Sequence, residues 1–135
     1  MTYYMAKSVS MPFETALTKT REALAAEGFG VLTEIDVRET LKKKINADIM
    51  PYRILGACNP AAAHQALQAD DRIGVMLPCN VIVHERAEGG VEIVAVDPLE
   101  AMSHVGNADL AGIAATVRAK LAAALGLQLM ARKKK

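Results

Sequence analysis

Residues 52–85 read YRILGACNPAAAHQALQADDRIGVMLPCNVIVHE, and this order predicts a strand, a helix and a further strand. The first apolar run stops at Cys58-Asn59, where asparagine suits a helix N-cap and the following proline suits the first helical turn. A long apolar strand is expected over residues 72–85. Both cysteines of the chain fall in this stretch, and each is followed by asparagine, in Cys58-Asn59 and Cys79-Asn80.

Strands and helices also alternate on either side of this stretch. The periodicity predicts strands at residues 2–9, 29–35 and 91–96, a helix at 11–27 capped by Ser10, a short helix capped by Asp36, and a last helix at 108–125. A hairpin turn at residues 87–90 joins the last two strands. The order β-α-β-(α)-β-α-β-β-α indicates an α+β fold with two layers, in which helices cover a mixed, mostly antiparallel five-stranded sheet.

The charge distribution narrows the classes of partner. The chain of 135 residues carries 16 basic and 15 acidic residues, and the last four positions, 132–135, are all basic. Without them 12 basic residues face 15 acidic ones, so a nucleic-acid interface is not expected. No apolar run approaches the roughly 18 residues of a membrane span. We predict a single α+β domain over residues 1–129 and a disordered basic tail over 130–135.

The cysteine content indicates the compartment. Two cysteines in a chain of this length do not make a disulfide framework. No charged segment followed by an apolar one opens the chain in the manner of a secretory signal. Together these observations favour a reducing, cytoplasmic setting.

Counting strand steps predicts one cluster of polar and thiol groups. If the third and fourth strands are parallel neighbours, Cys58 and Cys79 lie at the same end of the sheet. Folding the hairpin about Glu88 and Gly89 then places Asn80 opposite Asp97. The predicted ligand-binding residues are therefore Cys58, Asn59, Cys79, Asn80 and Asp97, with Glu34 at the border of the cluster.

Each of these residues also has a plain structural interpretation. Cys58 precedes a helix N-terminus, which stabilises a thiolate, but a free cysteine is also a common buried apolar side chain, as Cys79 in its apolar strand illustrates. Asn59 suits a helix cap, and Asp97 suits a strand terminator. No catalytic motif and no zinc-ligand spacing occurs, and no particular cofactor is indicated. A soft site for Cu(I) made by two cysteines stays open.

Four blocks of this sequence resemble one known family. They are GFGVLTEIDV at residues 28–37, YRILGACNP at 52–60, LPCNV at 77–81 and VDP at 96–98. In this order they are similar to the signature blocks of the domain of unknown function 302 family. The resemblance implies a small α+β domain of bacterial and archaeal proteins, usually alone in its chain, with dimers among its structures. It implies no established activity.

The sequence is compatible with three functions. The first is a cytoplasmic homodimer that holds a small polar ligand, or a soft metal or sulfur species, at the Cys-Asn cluster. The homodimer is expected because the last two strands are rich in Val and Ile on both faces. The second is a thiol or sulfur-transfer enzyme with Cys58 as nucleophile and Cys79 as resolving thiol, which lacks a clear general base. The third is a structural or interaction domain with inert, buried cysteines.

Overall fold

The computed structural model describes residues 2–126, which form one antiparallel five-stranded sheet with helices packed on it. The strand order is β1-β5-β4-β3-β2. The strands are β1 (Tyr4–Val9), β2 (Gly30–Asp36), β3 (Tyr52–Cys58), β4 (Cys79–Glu85) and β5 (Val91–Val96). The helices are α1 (Phe13–Ala26), α2 (Val37–Ile45), α3 (Pro60–Ala69), α4 (Pro98–Ala101) and α5 (Ala108–Leu125), with a 3₁₀ helix at Ile73–Met76. The α+β fold expected from the sequence is confirmed.

One face of the sheet packs against α1 and α5 and forms the main core. Alternate residues of each strand point to this face, since successive side chains of a strand point in opposite directions. Leu55 on β3 and Val81 on β4 are fully buried there, against Leu17 and Leu24 of α1 and Leu121 of α5. Burial of one such leucine contributes about 2 kcal/mol to folding.

Local capping signals in the sequence set several helix boundaries as expected. The Asp36 side chain accepts a hydrogen bond from the backbone N–H of Glu39, and Gly126 ends α5 in the left-handed conformation. The expected cap at Ser10 is wrong, because α1 begins at Phe13 and Pro12 occupies the N-cap without a side-chain bond. The predicted tail at 130–135 lies outside the described residues.

The predicted parallel pairing of the third and fourth strands is wrong. β3 and β4 are antiparallel, with Leu55 opposite Val81 and Ala57 opposite Cys79. The sequence assigned residues 72–85 to one strand, but residues 73–76 form the 3₁₀ helix and the strand begins only at Cys79. The segment before Cys79 therefore runs from the C-terminal end of α3 back to the C-terminal end of β3. From there β4 runs antiparallel beside β3.

The hairpin register also differs from the prediction by one residue. Val81 is opposite Ala95 and Glu85 is opposite Val91, so Asn80 is not the partner of Asp97. A shift of one residue moves every side chain of a strand to the other face. Gly89 and Gly90 both have positive φ in the turn, and the backbone N–H of Arg86 bonds to Gly90 O at 3.0 Å and closes it.

The second face of the sheet carries an apolar row that crosses all five strands. The register aligns Ile35, Ile54, Ile82, Val94 and Ala6 in this row. We call this surface the open face, because α1 and α5 pack on the other side. Among residues 2–126 no helix is long and apolar enough to cross a membrane.

Candidate functional site

A small apolar crevice lies where β3 ends and β4 begins, under α3, α4 and α5. Both cysteines, Cys58 and Cys79, are among its lining residues, and we call it the thiol crevice. The volume open to the centres of water-sized molecules is about 40 Å³. That volume admits one to a few heavy atoms, since a single water needs about 10–15 Å³ by the same measure. The other lining residues are Ala57, Asn59, Ala62, Ala63, Ala66, Leu77, Pro78, Pro98, Met102, Leu110, Ile113, Ala114 and Val117.

Cys58 is the last residue of β3, and the turn into α3 fixes its position. The residue after it, Asn59, caps α3 by accepting a hydrogen bond from Ala62 N–H at 3.2 Å. Pro60 occupies the first turn of the same helix, so the chain turns sharply from strand to helix at the thiol. Cys58 therefore precedes a helix N-terminus, as the sequence predicted.

Cys79 begins β4 and approaches Cys58 across the sheet. Ala57 is directly opposite Cys79, so the two cysteines are one residue out of opposition. At the usual strand spacing and rise this offset separates their Cα atoms by about 6 Å. Both cysteines thus belong to the lining of one crevice, at the ends of an antiparallel pair of strands rather than the parallel pair assumed from the sequence.

Electrostatics keep the Cys79 thiol protonated at neutral pH. Burial raises the pKa of Cys79 to about 11, and the neighbouring Cys58 adds to the effect. A buried thiolate loses hydration that the apolar crevice does not replace. Within residues 2–126 the crevice walls contain no histidine, lysine, aspartate or glutamate that could take the proton. The site is therefore suited to holding a soft atom rather than to acid-base chemistry.

We expect alkylation of Cys79 to remain slow until strongly alkaline pH. In a C58S variant with Cys79 as the single thiol, the iodoacetamide rate should keep rising past pH 10, because the thiolate is the nucleophile and the pKa of Cys79 is about 11. Mass spectrometry of quenched samples gives the rate. The same variant in guanidinium should level off near pH 9, and a folded-state plateau there would contradict the raised pKa.

Asp97 lies beside the crevice with both carboxylate oxygens occupied. Its Oδ1 accepts hydrogen bonds from the N–H groups of Leu99 and Glu100 and so caps α4. Its Oδ2 accepts from Arg118 Nε of α5 at 2.8 Å. Asp97 is 6% exposed, and its neighbour Pro98, rather than Asp97 itself, lines the crevice. The Asp97 side chain therefore holds α4 against α5.

Asn80 and Glu34 do not line the thiol crevice. Asn80 is opposite Gly56 and lines a groove on the open face, which Cys79 and Met102 line as well. Glu34 accepts hydrogen bonds from Arg21 and Arg53 near the β2 edge. The hydrogen bond from Arg21 is the main reason why the pKa of Glu34 falls, assisted by Arg53 and opposed by partial burial. Of the six predicted residues, Cys58, Asn59 and Cys79 line the thiol crevice, whereas Asn80, Asp97 and Glu34 do not.

The donors around the crevice suit a soft ion better than a hard or borderline one. No group of three His, Cys, Asp or Glu side chains that could hold a metal occurs in the described part of the chain. Met102 also lines the crevice, and no motif in the sequence marks it. The alanines of α3 and Ala114 are the sequence signal for the thiol crevice, because small side chains leave room where larger ones would fill the core.

The fold and the crevice together define a class: a small α+β domain with an antiparallel sheet and two free thiols at the edge where two strands meet. Residues 5–127 match the sequence profile of domain of unknown function DUF302. The protein belongs to this family, as the resemblance of the four sequence blocks predicted.

A solved structure supports this assignment across almost the whole chain. The crystal structure of an uncharacterized conserved DUF302 protein from Bacillus stearothermophilus is similar, with 31% sequence identity and a TM-score of 0.87. The alignment covers 93% of this chain and 98% of that one. No curated protein matches this sequence. The family and the shared fold are therefore shown, and neither the description of the family nor that of the similar structure names a function.

Proposed function

We propose that this protein is a homodimeric binding module that holds a small soft ligand, a metal ion or a sulfur species, in the thiol crevice. The observation that carries the proposal is that Cys58 and Cys79 come from adjacent strands to the walls of one apolar crevice. Its volume of about 40 Å³ excludes a nucleotide or a sugar. The nearly apolar walls also disfavour a small polar ligand, since a buried polar group without partners costs free energy.

The two competing functions fit the crevice less well. A sulfur-transfer enzyme with Cys58 as nucleophile needs a base or a cation to activate that thiol, and within residues 2–126 the crevice walls contain neither. A purely structural role explains burial of a thiol but gives no reason for an unfilled space beside two of them. The soft-ligand site accounts for the thiols and for the space together.

Thermal unfolding tests the proposal directly. Under anaerobic, reducing conditions the full chain is heated alone, with Cu(I), and with glutathione persulfide. A ligand at 100 times its Kd should add about 2.7 kcal/mol and raise Tm by about 10 °C. We expect at least one of these probes to produce this shift.

A C58S/C79S variant supplies the control for the thermal shift. It retains the size of both side chains closely and removes both sulfur donors, so the shift should disappear. A shift that persists in this variant would place the ligand elsewhere, and no shift of the native chain with either probe would refute the binding proposal.

The dimer is proposed to form through the open face. Its apolar row runs across all five strands, and large apolar side chains rim it: Tyr3 is 70% exposed and Val75 is 86% exposed. Beside the row, His84 bonds to Glu92 at 2.8 Å and packs near the ring of Tyr52, so polar groups there already have partners. Two such faces can pack as a sheet sandwich about 10 Å thick around a twofold axis.

A lysine in the apolar row of the open face should dissociate the dimer. We expect V94K to sediment as a monomer with an unchanged far-UV circular dichroism spectrum, because an unpaired charge in a buried apolar contact is strongly unfavourable. L67K, on an exposed position of α3, is the matched control and should remain dimeric. A monomeric native chain, or a V94K variant that stays dimeric, would contradict this interface.

The proposal places the protein in the cytoplasm. Cys58 and Cys79 are both free thiols, and a disulfide between them would remove the donors that the ligand needs. A reducing compartment preserves these thiols.

A further inference from the structure

We propose that Met102 is a third sulfur donor of the thiol crevice, and that Cys58, Cys79 and Met102 form a trigonal site for a monovalent soft cation, Cu(I) or Ag(I). The inference rests on the proposed ligand site and names its ligand class. All three residues line the same crevice, and they come from β3, β4 and the end of α4. Cys79 and Met102 also line the adjoining open-face groove.

The fold brings Met102 to the cysteines by an indirect route. Met102 is the C-cap of α4, and its N–H bonds to Pro98 O at 2.9 Å. Asp97 caps the other end of this single-turn helix and is held by Arg118 of α5. The buried ion pair thus fixes the start of this helix, and Met102 lies at its other end. Asp97 acts as a positioning residue for the third donor.

The donor chemistry selects the cation. Thiolate and thioether sulfur are soft ligands that favour Cu(I). Zinc prefers four tetrahedral ligands from thiolate, imidazole and carboxylate, and within residues 2–126 the crevice offers only two such groups. Binding of Cu(I) would release one proton from each thiol to solvent, giving two thiolates, a neutral thioether and a net charge of −1 at the site. No electron transfer is involved, because the ion binds in its reduced state.

The crevice size agrees with a bare ion. A volume of about 40 Å³ is large enough for a dehydrated cation. Among the described residues, Asn59 is the one other polar side chain in the walls, and it is engaged as the cap of α3. The ion would therefore meet sulfur on its coordinating side and hydrocarbon elsewhere.

The test measures Cu(I) affinity by competition with bicinchoninate, on the full chain under anaerobic conditions. M102L keeps the volume and apolar character of the side chain but removes the sulfur. It should weaken Cu(I) binding at least about tenfold, the loss seen even for groups one shell further from a metal. M76L is the matched control, because Met76 lines the open-face groove and not the thiol crevice; its affinity should equal that of the native chain.

X-ray absorption at the copper edge provides the second measurement. It should show three sulfur neighbours in the native chain and in M76L, and two in M102L. Equal Cu(I) affinity of M102L and the native chain, or nitrogen or oxygen neighbours in the native complex, would overturn the role of Met102. Persulfide binding without Cu(I) binding would overturn the metal site and leave the proposed function standing, whereas loss of both would overturn both.

Discussion

Replacing Asp97 with alanine should lower the free energy of unfolding by about 3–5 kcal/mol, the cost of breaking a buried ion pair from one side. The side chains of Arg118 and Asp97 are 13% and 8% exposed, so the guanidinium that remains has little access to water. The change also removes the cap of α4, since Leu99 and Glu100 N–H lose their acceptor. Urea unfolding followed by circular dichroism gives the difference.

Three further variants separate the charge from the cap. D97N keeps one oxygen for the α4 N–H groups and loses the charge, so it should be less destabilised than D97A. R118A leaves a capped carboxylate, and D97A/R118A should cost less than the sum of the single changes, because the pair is in direct contact. D48A is the surface control: the Lys42–Asp48 pair is largely exposed and contributes at most about 1 kcal/mol.

A loss below 1 kcal/mol in D97A would show that the ion pair is not maintained in solution. The variants also bear on the proposed metal site. If Asp97 positions α4, D97N should weaken Cu(I) binding even where the chain remains folded, while M102L should weaken it without lowering the stability of the ion-free protein.

Local chemistry explains which parts of this fold could be predicted. The caps at Asp36 and Asn59 depend on residues two or three positions away, and both appear in the structure. The bounds of α5, Ala108–Leu125, also follow from local signals, with its apolar face and a glycine stop. Such features are set within one or two helical turns, where the sequence is informative.

Relations between distant segments could not be obtained in the same way. Whether β3 and β4 are parallel depends on where residues 70–78 travel, and their apolar composition fits a strand as well as a 3₁₀ return segment. The predicted hairpin register was wrong by one residue. A shift of that size moves a side chain to the other face of the sheet, so the prediction placed Asn80 on the face that Cys79 occupies. The two thiols were placed together from the sequence, while Met102 was not, since no periodic pattern marks a residue just after a single-turn helix.

Gly56 illustrates a constraint that only the packed structure shows, and it supplies the second large expected effect. A Cβ at this position would lie 2.2 Å from Thr33 Oγ1 and 2.8 Å from Pro78 Cγ. Both distances are far shorter than a normal contact, so β2 and the Pro78 ring would have to move. We expect G56A to lower the free energy of unfolding by about 1–3 kcal/mol, the usual cost of overpacking.

Matched glycine variants test whether the cost comes from this contact. Nothing lies within 4 Å of a Cβ at Gly74 or Gly112. G74A should therefore be near neutral, and G112A, inside α5, should stabilise the chain by about 1 kcal/mol through helix propensity. Removing the Thr33 hydroxyl in G56A/T33A should recover part of the loss, whereas the contact with Pro78 persists.

The position of Gly56 connects this stability effect to the site. Gly56 lies two residues before Cys58, and the proline that packs against it lies one residue before Cys79. A methyl group at Gly56 pushes directly on the segment that carries the second thiol, so it should separate the two sulfur donors as well as strain the sheet. We therefore expect G56A to weaken Cu(I) binding in protein that remains folded, and G74A to leave it unchanged. Stability and affinity both equal to those of the native chain in G56A would mean that Pro78 yields freely and that the spacing of the thiols is set elsewhere.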